Sequence, residues 1–183
     1  MKKWTSIAVL GIIATSTILA GCGSQQAESP AAGHDHSSQS ASPSTKQPVL
    51  GEKQVRLQNG DIQEITSSVD QLPTFLDKAN QKIKFAYVKA AQNNELLQSM
   101  PCYCGCGVSA GHKDNMNCFI KEVKGDGTVV WDDHGTRCDT CMDIAVEASE
   151  MKEKGKTVKE IRTYIDNKYK EGYAKPTPTP MPS

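Results

Sequence analysis

The 183-residue chain has no excess of either charge: 21 basic residues balance 21 acidic ones, with four histidines besides. That balance excludes the basic footprint of a nucleic-acid binder and gives no cue for an acidic ligand. Beyond the first twenty residues no run is apolar enough to span a bilayer. There is no phosphate-binding glycine loop, and Ser, His and Asp occur in no order that argues for a hydrolase. Asp114-Asn115-Met116-Asn117 and Asp132-Asp133 offer oxygen ligands but lack the spacing of a calcium loop and its closing glutamate, so they read as turn or loop residues. Haem attachment is excluded because Met142, not histidine, follows Cys141. The chain shows neither an internal repeat nor the βαβ pattern of a thioredoxin fold.

Lys2 and Lys3 precede the apolar run IAVLGIIATSTILA (7–20), the layout of a secretory signal. It ends in Leu19-Ala20-Gly21-Cys22, which resembles the bacterial lipobox. The resemblance implies cleavage before Cys22 and a diacylglyceryl thioether on its sulfur. Ordinary cleavage near the same small residues would instead leave Cys22 free. The mature chain 22–183 holds 162 residues, with 19 basic against 21 acidic and a formal charge of −2. Two acyl chains give the stable attachment that one does not, so the expected place is the extracytoplasmic face of the cell membrane.

Residues 1–21 are thus a signal peptide, and 22–54 the lipidated cysteine and a linker. That linker is dominated by Ser, Ala, Gln, Gly and Pro, has too few bulky apolar residues to bury a core, and is expected to be disordered. The Pro-alternating tail 173–183 is expected to be extended and likewise disordered. Between them, 55–172 is one domain with a modest core. Asn59-Gly60 suggests a hairpin within 54–66, and Lys124-Gly125-Asp126-Gly127 a second within 118–133. Residues 72–100 read as mostly helical, opened by Pro73 and closed at Met100-Pro101, with Ile83, Tyr87, Ala90, Ala91, Asn94 and Leu97 at helical spacing. A helix in 138–155 places Cys141, Ile144, Ala145, Ala148 and Met151 on one face and stops at Gly155. Another in 157–172 opens on a Thr157/Glu160 capping box and buries Val158, Ile161, Ile165 and Tyr169. Trp131 and Phe119 read as core, and Tyr103 as a packing or shielding ring. The fold class is mainly α: a small helical domain with a minor β-hairpin and a cysteine cluster.

With Cys22 taken by lipid, six cysteines remain: Cys102, Cys104, Cys106, Cys118, Cys138 and Cys141. An even count in an exported chain supports a disulfide framework. Yet Cys102, Cys104 and Cys106 alternate, so an extended strand would point all three one way, and Gly105 and Gly107 would let the backbone curl around an ion. Cys138 and Cys141 sit at i and i+3 near a helix start, whose dipole favours thiolate. With His112 and His134 the chain offers eight soft or borderline donors, a set that selects Cu(I) or Zn(II). Cys-x-Cys runs suit Cu(I), which is ranked ahead of zinc. His34 and His36 in the linker read as solvated residues, or as a loose capture site for the same ion.

PCYCGCG at 101–107, GH at 111–112, NCFI at 117–120, WDDHG at 131–135, CDTC at 138–141 and the GK…IR…ID…KY pattern of 155–169 together resemble the bacterial PCYCGC-motif lipoproteins. The resemblance implies a secreted or membrane-anchored protein; the family is defined by its motif and not by a settled activity. The C-terminal half also resembles the small helical thiol proteins of cytochrome c maturation, which keeps thiol–disulfide exchange at Cys138-x-x-Cys141 in view. Three functions therefore stand open. The leading one is a non-enzymatic metal binder that buffers the ion or passes it to an acceptor protein on the same membrane. The others are a thiol exchanger for exported cysteine or copper proteins and a disulfide-stapled interaction module.

Overall fold

The computed structural model describes residues 54–182. The signal segment, Cys22 and the linker with His34 and His36 lie outside them. Both expected hairpins form. β1 (Val55–Arg56) and β2 (Ile62–Thr66) flank the Asn59-Gly60 turn, where Gly60 has φ +88°. β3 (Ile120–Val123) and β4 (Val129–Asp132) flank a second turn closed by Gly127 N–H donating to Lys124 O at 2.9 Å. What the sequence did not reveal is that β2 pairs antiparallel with β4, so the hairpins fuse into one four-stranded sheet of order β1-β2-β4-β3. The β content is one sheet, larger than a lone hairpin.

The helical stretch expected over 72–100 breaks into pieces, each with a local cause. Pro73 precedes a short 3-10 turn, Thr74–Leu76, whose first N–H donates to the Glu64 carboxylate of β2 at 2.7 Å. Asn80 then caps α1 (Gln81–Gln92), its side chain accepting from Ile83 N–H at 3.0 Å. Asn93 ends α1 by turning its amide back to Lys89 O at 3.1 Å, the local competition that makes asparagine a helix breaker. A single turn, α2 (Asn94–Leu97), follows.

After α3 (Cys106–Ser109) and the second hairpin come α4 (Asp139–Glu153) and α5 (Val158–Tyr169). Gly155, at φ +79°, stops α4, and the expected capping box opens α5. Ile161, Ile165 and Tyr169 are buried as expected, but Val158, the first residue of α5, is 38% exposed. Helix α4 packs between α1 and α5. Tyr87 joins the helical layer to the sheet: its ring meets Phe119 edge-on at 5.1 Å, and its hydroxyl donates to Asp132 O of β4 at 2.6 Å. Among the described residues no helix is long and apolar enough to cross a membrane.

The tail corrects an expectation. It carries no regular helix or strand, but it is not a disordered appendage. Ala174 N–H donates to Tyr103 O at 3.0 Å, and Thr177 N–H to Cys102 O at 3.0 Å. Cys102 N–H returns a bond to Thr177 Oγ1 at 3.0 Å, and Thr179 Oγ1 donates to Lys113 O at 2.8 Å. Arg162 of α5 holds Pro180 O at 3.0 Å. Proline pre-extends the chain and removes donors, so the intervening Ala and Thr residues carry the pairing. Thr177 and Thr179 are buried as a result. The tail is a strap over the PCYCGC segment.

Two outcomes follow. A Cβ at Gly135 would lie 2.7 Å from the Phe119 ring and 2.8 Å from Cys118 O. Gly135→Ala is therefore expected to cost about 1–3 kcal/mol, seen as a lower urea midpoint at unchanged slope. Deleting residues 173–183 removes the strap from Cys102, and the rate of Cys102 alkylation in the reduced protein should rise; an unchanged rate would show that the strap does not shield the thiol.

Candidate metal centre

Four stretches of chain deliver the thiols. Met100-Pro101 ends the helical region, and the strap pairs with Cys102 on both backbone sides. Cys102 and Cys104 lie in extended chain, but the expected strand stops there. Gly105 adopts φ +87° and turns the backbone, so Cys106 becomes the first residue of α3. Cys118 closes the 3-10 turn Met116–Cys118. Cys138 caps α4, its sulfur accepting from Cys141 N–H at 3.4 Å, and Cys141 sits in the first turn.

These stretches converge. Cys118 Sγ lies 3.3 Å from Cys102 Sγ, 3.8 Å from Cys106 Sγ and 3.3 Å from Cys141 Sγ. Cys141 Sγ is also 3.3 Å from Cys104 Sγ and 3.9 Å from Cys102 Sγ. His112 Nδ1 stands 3.3 Å from Cys118 Sγ. The sulfurs of Cys104, Cys138 and Cys141 form a further group, and a His134 nitrogen joins those of Cys104 and Cys106, all within 4.8 Å of one another. Thus all six cysteines and both histidines singled out in the sequence occupy one region. Cys102, Cys118 and Cys141 are 0% exposed, while Cys104 and Cys138 are half-buried. All six are free thiols. A donor set of this kind, dry and dominated by sulfur, can hold a metal ion.

The thiols do not share charge evenly. Hydrogen bonds from Cys102, then Cys106 and Cys118, hold Cys104 far below the ordinary thiol range, and Cys102 leads in bringing Cys106 down to about 2. Burial pushes Cys118 well up, and donation to Cys104 pushes Cys138 up to about 11. The two thiols shifted down, Cys104 and Cys106, are the pair grouped with His134. Asp61 answers from behind: its carboxylate meets His134 Nδ1 at 3.1 Å and, with Cys104 second, raises the imidazole to about 10. Burial pulls Asp61 upward, but the His134 hydrogen bond and the His134 and Arg137 charges outweigh it and hold the carboxyl low. With Nδ1 taken by Asp61, Nε2 is the nitrogen left facing the sulfurs, and the imidazole would have to give up its proton before it could ligate an ion there.

Sequence reasoning missed three residues here. Asp61 looked like part of the Asn59-Gly60 turn, yet it is 2% exposed and also pairs with Arg137. Asn115, 0% exposed, donates from its backbone to Met100 O at 2.8 Å and from its side chain to Cys141 O at 3.2 Å, tying two sulfur-bearing stretches together. Thr177 lay in a tail that offered no core. Only the neighbourhood of Asp61 and WDDHG on adjoining strands could have signalled the first, and strand pairing is not written in either segment.

The fold and its centre define a small α-rich domain organised around a buried polythiol cluster. A family model described as "Protein of unknown function with PCYCGC motif" matches residues 11–182, and the chain belongs to that family. No curated protein and no solved structure matches it.

Because the folded pKa of His134 exceeds the ordinary value of about 6.5, its pairing with Asp61 stabilises the fold fully below that value and fades as pH rises through about 10. In Asp61→Asn the His134 titration followed by NMR should fall back toward the ordinary imidazole range; a titration that stays put would mean that Asp61 is not its cause.

Proposed function

We propose that this chain is a membrane-anchored, extracytoplasmic metal-binding lipoprotein. Its Cys/His cluster takes Cu(I) ahead of Zn(II) and buffers the ion or delivers it to an acceptor. One observation carries this reading: Cys118 and Cys141 each have three other sulfurs within 3.9 Å. A disulfide joins two sulfurs at about 2.05 Å, so a sulfur with three near neighbours has no single natural partner. A metal ion draws several at once. Six close thiols also resist full ionisation until a cation compensates them, and binding releases their protons. Sulfur in excess favours Cu(I) or Zn(II), and the Cys-x-Cys run supports Cu(I) first. Cys102, Cys104, Cys106, Cys118, Cys138, Cys141, His112 and His134 are the proposed ligand pool.

The anchor rests on sequence: the signal-like run, the lipobox-like Leu19-Ala20-Gly21-Cys22 and the polar linker agree. Two acyl chains on Cys22 would hold the domain at the outer membrane face, and the linker would let it reach a metal- or thiol-bearing protein on the same membrane.

Thiol exchange is the second reading, favoured by half-exposed Cys138 at the cap of α4. The crowding at Cys141, which has three other sulfurs within 3.9 Å rather than Cys138 as a single partner, ranks metal binding ahead.

Protein purified under reductant is expected to carry stoichiometric copper or zinc, with six reactive thiols once the metal is chelated. Acidification should release the ion, since protons compete for each thiolate. Six oxidised sulfurs and no metal in freshly isolated protein would sink the proposal, and a mixed disulfide trapped at Cys138 would favour exchange.

A further inference from the structure

We infer that the cluster is two metal sites sharing one sulfur. Cys102, Cys106, Cys118 and Cys141 form a buried four-sulfur site; Cys104, Cys138 and Cys141 form a half-exposed three-sulfur site. The inference rests on the metal-binding reading above and specifies its stoichiometry and division of labour.

Six sulfurs exceed what one ion takes, since zinc settles at about four ligands and Cu(I) takes fewer. The sulfurs fall into two overlapping groups, with Cys104 also within 4.8 Å of Cys106 across them. Those of Cys102, Cys106, Cys118 and Cys141 lie within 4.8 Å of one another, as do those of Cys104, Cys138 and Cys141. Cys141 alone belongs to both sulfur groups. It stands 3.3 Å from Cys118 on one side and 3.3 Å from Cys104 on the other. A thiolate has lone pairs enough to bridge two ions, and Cys141 is placed to do so. Its backbone is fixed by the first turn of α4 and by Asn115, which donates to its carbonyl at 3.2 Å.

The two sites differ in access. All four inner cysteines are buried beneath the strap and the core, whereas Cys104 and Cys138 are half-buried. Three sulfurs with an open side suit Cu(I), and the open side admits a further thiolate. An acceptor thiol can therefore bind the outer ion, giving its proton to the Cys138 sulfur as that sulfur leaves. One metal–sulfur bond forms and one breaks, no electron moves, and copper stays Cu(I). The inner site retains its ion and keeps Cys141 in position.

The test is a count. The full chain in detergent, fully reduced and anaerobic, is loaded with Cu(I) against a competing chelator and weighed by native mass spectrometry. Two ions per chain are expected. One ion, or more than two, overturns the shared-site assignment and leaves the metal-binding reading standing; no ion overturns both. The wild-type count needs no variant, so misfolding cannot blur it. Among variants that keep the native far-UV circular dichroism, Cys138→Ala and Cys102→Ala should each retain one ion. Cys141→Ala should weaken retention of both by about tenfold or more, at least the loss that follows removal of an outer partner. A Cys141→Ala protein that keeps either ion as firmly as wild type overturns the sharing.

Discussion

Placing a thiolate next to another thiolate away from water is costly, and this domain places six thiols side by side with three of them fully buried. Much of the surrounding structure follows from that crowding. Hydrogen bonds among the sulfurs favour the thiolate form at Cys104 and Cys106 and oppose it at Cys138, while burial opposes it at Cys118. His134 stands beside Cys104 and Cys106 with Asp61 behind it, so the nearest cation is itself held in place. Full ionisation would call for a compensating cation, and the buried cluster could hold a metal ion.

The sheet and the helices divide the work of holding this arrangement. Fusion of the two hairpins through β2 and β4 brings Asp61, from the turn before β2, against His134, just beyond β4. The N-terminus of α4 supplies Cys138 and Cys141 in fixed register, and Asn115 locks the loop that carries Cys118 to the same turn. The strap closes the remaining side by pairing with Cys102 as a short extra strand would. Lys113, bonded to Thr179, anchors the strap on the stretch between His112 and Cys118.

Patterns confined to one stretch of chain were readable. The two turns, the Thr157/Glu160 capping box, the Gly155 stop and the buried Ile161, Ile165 and Tyr169 stripe all follow from local propensity and periodicity. The six cysteines and two histidines could be named because thiols in such number are chemically unusual anywhere. Reading failed where a residue's role depends on a distant partner. Val158 had the right spacing but is exposed, and Asn93 broke a helix whose apolar rhythm continued. The tail composition gave no sign of the surface that receives it.

By itself, then, the sequence determined the family, the two hairpins, the two C-terminal helices and the chemical identity of the donor pool, because these depend on short-range pattern and residue type. Only the tertiary structure decided which sulfurs are neighbours. The turn at Gly105 sends Cys106 away from the alternation it shares with Cys102 and Cys104, and strand pairing brings Asp61 behind His134. Such proximities arise when distant segments pack around a common core. No local pattern encodes a distance across sixty or seventy residues, about the separation of Asp61 from His134.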